Sequence, residues 1–136
     1  MIREIIDRVW IGSEPNIKMI EQCRADALVC TIAKGSDPAV VDRVSRYSCY
    51  PIPDGKRFDN ELFVLAMEDI INWYREGRTV LVHCRAGRNR SATAIAMFLI
   101  EHFDWEPQAA IEHIRTIRPR AIANPVFEDH LLRKDF

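Results

Sequence analysis

The amino-acid sequence predicts an α/β fold, a mainly parallel central sheet flanked by helices on both faces. Short apolar runs of β-favouring residues alternate along the chain with longer segments of helical periodicity, which is typical of such folds. One helical segment is apolar nearly all round, and this pattern indicates a buried helix. The 136 residues, 48% hydrophobic and 29% charged, suit a single domain over residues 1–136 and are too few for two.

Four regions combine short length with apolar, β-favouring residues, so we expect strands there. Turn signals accompany two of them: Asp7-Arg8 can divide the first region into two short strands, and Pro53-Asp54-Gly55 follows the third. The predicted strands are residues 5–12, 27–32, 45–52 and 80–82.

Helices are expected where apolar residues recur every three to four positions behind a proline or a capping residue. Pro38, Pro107 and Pro125 occupy first-turn positions, and Asp59 or Asn60 can cap the longest helix. The predicted helices are residues 16–24, 38–44, 59 or 60 to 76, 91–102, 107–117 and a last one from 125. The residues predicted on the inner face of the longest helix are Leu62, Ala66, Ile70, Trp73 and Tyr74.

The composition argues against several classes of function. A formal net charge of −1 provides no basic field that would attract nucleic acid or an anionic membrane. The N-terminus lacks the apolar region of a secretory signal, and no run approaches the roughly 20 apolar residues that cross a bilayer. The four cysteines form no CxxC pair and have no histidine at zinc-ligand spacing. We therefore expect reduced thiols, no metal, no cofactor and a cytoplasmic location.

One stretch, residues 79–91, reads TVLVHCRAGRNRS and carries most of the chemical information. An apolar strand leads into Cys84, a short loop containing Gly87 follows, and Arg90 and Ser91 open the next helix. Such a loop turns backbone N–H groups inward beside a helix N-terminus, which suits a phosphate and favours the thiolate of Cys84. Arg90 can bind two oxygens bidentately. Ser91 can cap the helix and donate to the Cys84 sulfur.

The sequence HCRAGRNRS resembles HCxxGxxR[ST], the signature loop of cysteine-dependent phosphatases. The short chain also resembles the compact dual-specificity branch of the protein tyrosine phosphatases. The resemblance implies that Cys84 is a nucleophile that forms a cysteinyl-phosphate without a cofactor, and that vanadate, phosphate or sulfate binds at the site. The phosphate-binding loop would consist of Arg85, Ala86, Gly87, Arg88, Asn89 and Arg90.

A thiolate nucleophile calls for a separate general acid, because an alkoxide or phenoxide is a poor leaving group unless it is protonated. Asp54 is the candidate. It lies in a Pro-Asp-Gly turn after a predicted strand, 30 positions before Cys84, and the family carries its acidic aspartate at a similar place. The alternative is that Asp54 only makes the turn, and Asp59 and Asp37 are then the substitutes.

His83 is expected to hydrogen-bond loop backbone rather than act as a base, since its side chain points away from that of Cys84 in an extended strand. Residues 118–125 resemble the family segment behind the signature loop, which implies that Arg120 braces the loop and that Asn124 places the hydrolytic water. The alternative for Arg120 is a surface charge. Cys30 lies where some relatives carry a thiol that protects the oxidised nucleophile as a disulfide, and the alternative is a core cysteine.

Three hypotheses describe the substrate. The resemblance implies a shallow cleft and hence a dual-specificity protein phosphatase acting on phosphotyrosine, phosphoserine and phosphothreonine. Arg85 and Arg88 resemble basic residues in the loop of phosphatases for inositol lipids, which implies the alternative of inositol lipids, inositol phosphates or RNA 5′ phosphates. The third hypothesis is an inactive phosphate-binding module. The sequence argues against it, because Cys84, Arg90, Ser91 and a candidate acid are all present.

Overall fold

The computed structural model describes residues 1–136 and contains one five-stranded sheet and six helices. The strands are β1 (Ile2–Ile6), β2 (Val9–Gly12), β3 (Ala27–Cys30), β4 (Arg46–Cys49) and β5 (Val80–His83). Their order across the sheet is β1-β2-β5-β3-β4. β1 runs antiparallel to β2, and all other neighbours are parallel. The predicted α/β fold with a mainly parallel sheet is confirmed.

The helices are α1 (Ile17–Cys23), α2 (Pro38–Val41), α3 (Asn60–Arg75), α4 (Arg90–Phe103), α5 (Pro107–Ile117) and α6 (Pro125–Leu132). Proline occupies the first turn of α2, α5 and α6, as predicted. α2 ends earlier than expected because the next amides bond to carbonyls only three residues back: Arg43 donates to Val40 and Val44 to Val41.

β4 is shorter than the predicted strand, which ran to residue 52. Pro51 has no N–H to donate to a sheet ladder, so pairing stops at Cys49. The Ile52 amide instead donates to the carbonyls of Thr31 and Tyr50, at 3.2 and 2.8 Å. Residues 50–59 therefore form a loop beside the carboxyl end of β3, and this acid loop carries Asp54.

The inner face of α3 is rotated from the predicted one. Ala66 and Ile70 are buried as expected, together with Phe63 and Met67. Three residues predicted on that face are only partly buried, namely Leu62, Trp73 and Tyr74. The buried positions follow the three-to-four spacing of a helix that packs against both the sheet and α4.

The sheet separates two apolar layers. The main core lies between the sheet and α3 to α6, and a smaller cluster lies under α1 and α2 on the other face. β5 serves both layers, because Val80 and Val82 pack in the main core and Leu81 packs in the smaller cluster. α4 is buried from Ser91 to Ile100, in agreement with its apolar sequence. None of the helices combines the length and apolar character that crossing a bilayer requires.

The carboxyl ends of the four parallel strands lie at one edge of the sheet. Gly12 of β2 and Cys30 of β3 both pair with His83 of β5, and Cys49 of β4 pairs with Cys30. Ligands of open α/β sheets bind beyond this edge. Because β5 lies between β2 and β3, Cys84 is the first residue beyond the sheet near its centre.

Candidate active site

The loop of residues 84–90 rests on the end of β2. The Cys84 amide donates to the Gly12 carbonyl at 3.3 Å, and the Glu14 amide donates to the Arg85 carbonyl at 3.2 Å. Gly87 has a positive φ of 67°, and a Cβ there would lie 2.9 Å from the Gly12 carbonyl carbon. Only glycine fits this close approach of two backbone segments without a shift of the backbone.

Cys84 lies at the floor of a cleft of about 210 Å³ with only 2% of its surface exposed. Its Sγ is 3.2 Å from the Ser91 hydroxyl and accepts a hydrogen bond from the Gly87 amide at 3.2 Å. Burial raises the pKa of the thiol. Hydrogen bonds from the Ser91 hydroxyl and from the amides of Ser91, Arg88 and Gly87 outweigh burial, so the pKa lies below its ordinary value.

Ser91 does not cap the helix, which corrects one expectation from the sequence. The N-cap of α4 is Asn89, whose side chain makes no capping hydrogen bond. Ser91 lies in the first turn, fully buried, with its hydroxyl against the Cys84 sulfur. The predicted contact between this hydroxyl and the sulfur is confirmed.

Hydrogen-bond donors without protein acceptors surround the sulfur. Four backbone N–H groups of the loop make no hydrogen bond within the protein, those of Arg85, Ala86, Asn89 and Arg90. The Arg90 guanidinium donates through Nη1 to the Ile52 carbonyl at 3.2 Å, while its buried Nε has no partner. Such a concavity of amides and a guanidinium suits an anion with several oxygens.

Asp54 lines the same cleft as Cys84 and Arg90. Its carboxylate is exposed and accepts hydrogen bonds from the side-chain amides of Asn89 at 3.0 Å and Asn124 at 2.9 Å. The two substitute acids are used as helix caps: Asp59 accepts from the Leu62 amide and Asp37 from the Ala39 amide. Asp54 is therefore the one predicted acid that the fold brings to the thiol.

Arg120 does not brace the loop, and that prediction is wrong. Its side chain is exposed and makes no hydrogen bond or ion pair. Arg118 contacts the loop instead: its Nε donates to the Gly87 carbonyl at 3.0 Å and its Nη2 to the Ala86 carbonyl at 2.8 Å. Arg118 is the C-cap of α5, and from there it faces the loop. The two arginines flank Pro119, and no local signal distinguished them.

Asn89 and Asn124 join the loop, the acid and α6. The Asn89 carbonyl oxygen accepts from the amides of Ala123 and Asn124, at 2.8 and 3.2 Å. The Asn124 carbonyl oxygen caps α6 through Val126, and its amide nitrogen donates to Asp54. Asn89 was predicted only as a loop residue, so sequence reasoning missed its contact with the acid. The role of Asn124 toward a hydrolytic water stays a prediction.

His83 is fully buried at the end of β5. Its Nδ1 lies 3.1 Å from the Cys84 carbonyl oxygen, so the expected contact with loop backbone is present. The second ring nitrogen, Nε2, lies 2.6 Å from the hydroxyl of Ser36, a residue that sequence reasoning did not select.

Cys30 is fully buried and belongs to a small cluster with Ile32 and Cys84. The sulfur of Cys49 lies 3.1 Å from that of Cys30, across the parallel pair of β3 and β4. All four cysteines are free thiols. A second thiol, that of Cys49, therefore lies beside Cys30. The resolving role of Cys30 toward Cys84 stays a prediction.

The family model that matches this chain, over residues 9–135, is that of the dual specificity phosphatase catalytic domain. The chain therefore belongs to the dual specificity phosphatase family. The fold and the cysteine-containing loop match this family.

Several relatives share part of the sequence. Phosphatidylglycerophosphate phosphatase PTPMT2 of Arabidopsis thaliana is 51% identical over 49 residues, which cover 36% of this chain and 22% of that protein. Phosphatidylglycerophosphatase and protein-tyrosine phosphatase 1 of Rattus norvegicus is 49% identical over 49 residues, 36% of this chain and 25% of that protein. Protein phosphatase Slingshot of Drosophila melanogaster is 25% identical over 130 residues, 94% of this chain and 12% of that protein. The chain spans a quarter or less of each of these relatives.

Solved structures share the fold along almost the whole chain. Tk-PTP in its active form has a TM-score of 0.83 and 25% identity, covering 98% of this chain and 94% of that one. The human tyrosine phosphatase-like serine/threonine/tyrosine-interacting protein has a TM-score of 0.85 and 20% identity, covering 98% and 95%. PTPMT1 in complex with PI(5)P has a TM-score of 0.72 and 20% identity, covering 99% of both chains.

Proposed function

We propose that this chain hydrolyses phosphate monoesters through a cysteinyl-phosphate on Cys84. The observation that carries the proposal is the cradle around the sulfur. Four loop amides and the Arg90 Nε have no protein acceptor and border a cleft whose floor is a thiol of lowered pKa. Preorganised donors of this kind stabilise the charge that develops on the oxygens of a transferring phosphoryl group.

In the first step, the Cys84 thiolate attacks phosphorus and the bond from phosphorus to the ester oxygen breaks. Asp54, which borders the cleft, gives its proton to the departing oxygen. In the second step, water attacks phosphorus, Asp54 accepts the proton of that water, and the phosphorus–sulfur bond breaks. The Ser91 hydroxyl, 3.2 Å from Sγ, stabilises the sulfur as it leaves as a thiolate.

For the substrate, we place phospholipids of the phosphatidylglycerophosphate type first. The support is the similarity to enzymes named for that substrate, at 51 and 49% identity over 49 residues. The second support is charge: Arg85 and Arg88 line the cleft, and their guanidinium groups make no ion pair or hydrogen bond to the protein. A headgroup with a phosphodiester near its phosphomonoester has a further negative charge for them.

Phosphorylated tyrosine, serine and threonine side chains of proteins are the second candidate, which was the first expectation from the sequence. The similarity to Protein phosphatase Slingshot over 94% of the chain favours it, as does the family domain itself. Both candidates use the same chemistry at Cys84, so only the surroundings of the cleft distinguish them.

The chemistry is tested with p-nitrophenyl phosphate in the presence of EDTA. We expect hydrolysis without added metal and complete block by vanadate, which mimics five-coordinate phosphorus. A requirement for a divalent cation would show that the cysteine mechanism is wrong.

The substrate class is tested with a panel of phosphatidylglycerophosphate, inositol lipids, phosphotyrosine and phosphothreonine peptides and 5′-phosphorylated RNA. We expect the highest kcat/KM for phosphatidylglycerophosphate. The double variant Arg85→Gln, Arg88→Gln should lose about tenfold or more on this lipid relative to p-nitrophenyl phosphate, and Arg133→Gln, an exposed control, should lose nothing. Higher kcat/KM for the peptides, with no such selective loss, would assign the chain to protein substrates.

A further inference from the structure

We propose that Ser36 is a positioning residue for the phosphate-binding loop, because its hydroxyl fixes the orientation of the His83 imidazole and thereby orients the first peptide group of the loop. Ser36 lies between β3 and α2, and it is 47 positions before His83 in sequence. The consequence for catalysis rests on the function proposed above. The hydrogen bonds that define the role do not depend on turnover.

The two partners of the imidazole determine where its proton lies. The Cys84 carbonyl oxygen, 3.1 Å from Nδ1, can only accept a hydrogen bond, so Nδ1 must carry the proton. In the neutral ring Nε2 is then an acceptor, and the Ser36 hydroxyl at 2.6 Å is the donor it requires. Ser36 thus satisfies Nε2 and holds the ring so that Nδ1–H points at the Cys84 carbonyl oxygen.

The proton on Nδ1 matters because it orients a peptide plane. The chain contains no cis peptide bond, so the Cys84 carbonyl and the Arg85 N–H point in opposite directions. A hydrogen bond from His83 holds the carbonyl on the side away from the cleft. The Arg85 N–H, which has no acceptor in the protein, is then directed toward the cleft above Cys84. Ser36 therefore helps to set the first amide donor of the cradle.

Loss of the Ser36 hydroxyl would leave the imidazole poorly satisfied. His83 is fully buried, so water does not readily replace the missing donor at Nε2. The imidazole can then turn to a position where water satisfies Nε2, and this breaks the hydrogen bond from Nδ1 to the Cys84 carbonyl oxygen. Without that bond the peptide can rotate and carry the Arg85 amide away from the anion. The thiolate and the bound phosphate both lose a donor.

The charged and titratable groups around Ser36 and around Cys84 come from several elements. Beside Ser36 lie Tyr47, whose hydroxyl hydrogen-bonds that of Ser36, and the cavity residues Glu14, Lys34 and Asp37. Arg85, Arg88 and Arg90 of the loop, together with Asp54 of the acid loop, line the cleft above Cys84. Cys30 of β3 and Tyr47 and Cys49 of β4 pack beside Cys84 on the side of the sheet. All of these groups are unchanged in the variants below, so a change in the titration of Cys84 reports on the altered hydrogen bond.

The wild-type protein allows a first test that needs no variant. Long-range ¹H–¹⁵N NMR spectra of the imidazoles distinguish a ring protonated on Nδ1 from one protonated on Nε2. We expect His83 in the Nδ1–H form at neutral pH. A His83 ring protonated on Nε2 would overturn the proposal.

The variant test compares Ser36→Ala with Ser36→Thr, which keeps a hydroxyl, and with Ser45→Ala, which removes an exposed hydroxyl that has no partner. The readouts are the exchange rate of the His83 Nδ1 proton and the rate of Cys84 alkylation by iodoacetamide as a function of pH. Ser36→Ala should speed exchange of that proton and slow alkylation about three- to tenfold near pH 6, since each unit of pKa is a factor of ten in thiolate. Ser36→Thr should restore the rate at least in part.

A Ser36→Ala protein with the wild-type exchange rate of the Nδ1 proton and the wild-type alkylation profile would overturn the proposal, whatever its melting temperature. Both readouts are independent of substrate. If the protein hydrolysed no phosphate monoester, the function proposed above would fail while these measurements would still decide the role of Ser36.

Discussion

The loop that holds the candidate nucleophile and the loop that holds the candidate acid are anchored in different ways. Backbone contacts fasten residues 84–90: the Cys84 amide bonds to Gly12, the Arg85 carbonyl to Glu14, and the Arg88 carbonyl to the Ile122 amide at 2.8 Å. The carboxylate of Asp54 is exposed, and only the side-chain amides of Asn89 and Asn124 bond to it.

The difference follows from what each loop must do. A cradle for phosphate needs several donors at fixed separations, and backbone amides held by a sheet supply them without reorganisation. A proton donor needs one group within reach of one oxygen, and side-chain contacts at the surface are enough to place it. Substitutions in the first loop are therefore expected to abolish catalysis, and those in the second to reduce it for particular leaving groups.

The largest effect is expected for Cys84→Ser. A serine hydroxyl is far less nucleophilic than the thiolate, and turnover should fall by at least about 10⁴-fold on every substrate. Steady-state kinetics with p-nitrophenyl phosphate measure the loss, and phosphate binding by the variant should persist because the amide cradle is intact. Turnover near the wild-type value would place the nucleophile elsewhere.

Asp54→Asn should reduce kcat on the order of 10²–10⁴-fold for an alkyl or tyrosyl phosphate, which needs a protonated leaving group. The loss should be smaller for p-nitrophenyl phosphate, because nitrophenoxide leaves without a proton. Asp59→Asn is the matched control, since asparagine still caps α3 and the rate should not change. Equal rates for the wild type and Asp54→Asn on phosphotyrosine would transfer the acid role to another residue.

Arg118→Gln should lower kcat on the order of tenfold, because it releases the Gly87 and Ala86 carbonyls and lets the donors of the cradle shift. Arg120→Gln removes the same charge two positions away and should behave as wild type. The ratio of the two kcat values measures how much the hydrogen bonds from Arg118 to the loop contribute to turnover. Circular dichroism confirms that both variants fold. Similar losses in both variants would point to a general charge effect instead.

The smallest effect without an oxidant is expected at Cys30. Cys30→Ser should change turnover little, yet peroxide inactivation should become irreversible. Peroxide converts the Cys84 thiolate to a sulfenic acid, and the Cys30 thiol then displaces water to form a disulfide. Cys49→Ser should raise the fraction of this disulfide, because it removes the competing thiol 3.1 Å from Cys30. Mass spectrometry that found only a disulfide between Cys30 and Cys49 would contradict the resolving role.

Local sequence was sufficient for much of the fold and for the centre of the site. Five of the six helices were predicted to within about one residue at each end where the bounds were given, because their caps and prolines lie within a few positions of the helix start. The contact between Ser91 and Cys84 was predicted for a similar reason, since the two residues lie seven positions apart in one tight loop. Short strands were less accurate at their ends, because pairing depends on neighbours that the sequence does not identify.

The sequence by itself determined a strand, a glycine-containing loop and a helix that place Cys84 and Arg90 around one anion. Short-range backbone geometry is enough to specify such a unit. Only the tertiary structure decided that Arg118 rather than Arg120 braces the loop, that Asn89 reaches Asp54, and that Ser36 meets His83. These contacts join segments 31 to 47 positions apart, and their partners depend on how strands and helices pack rather than on spacing along the chain.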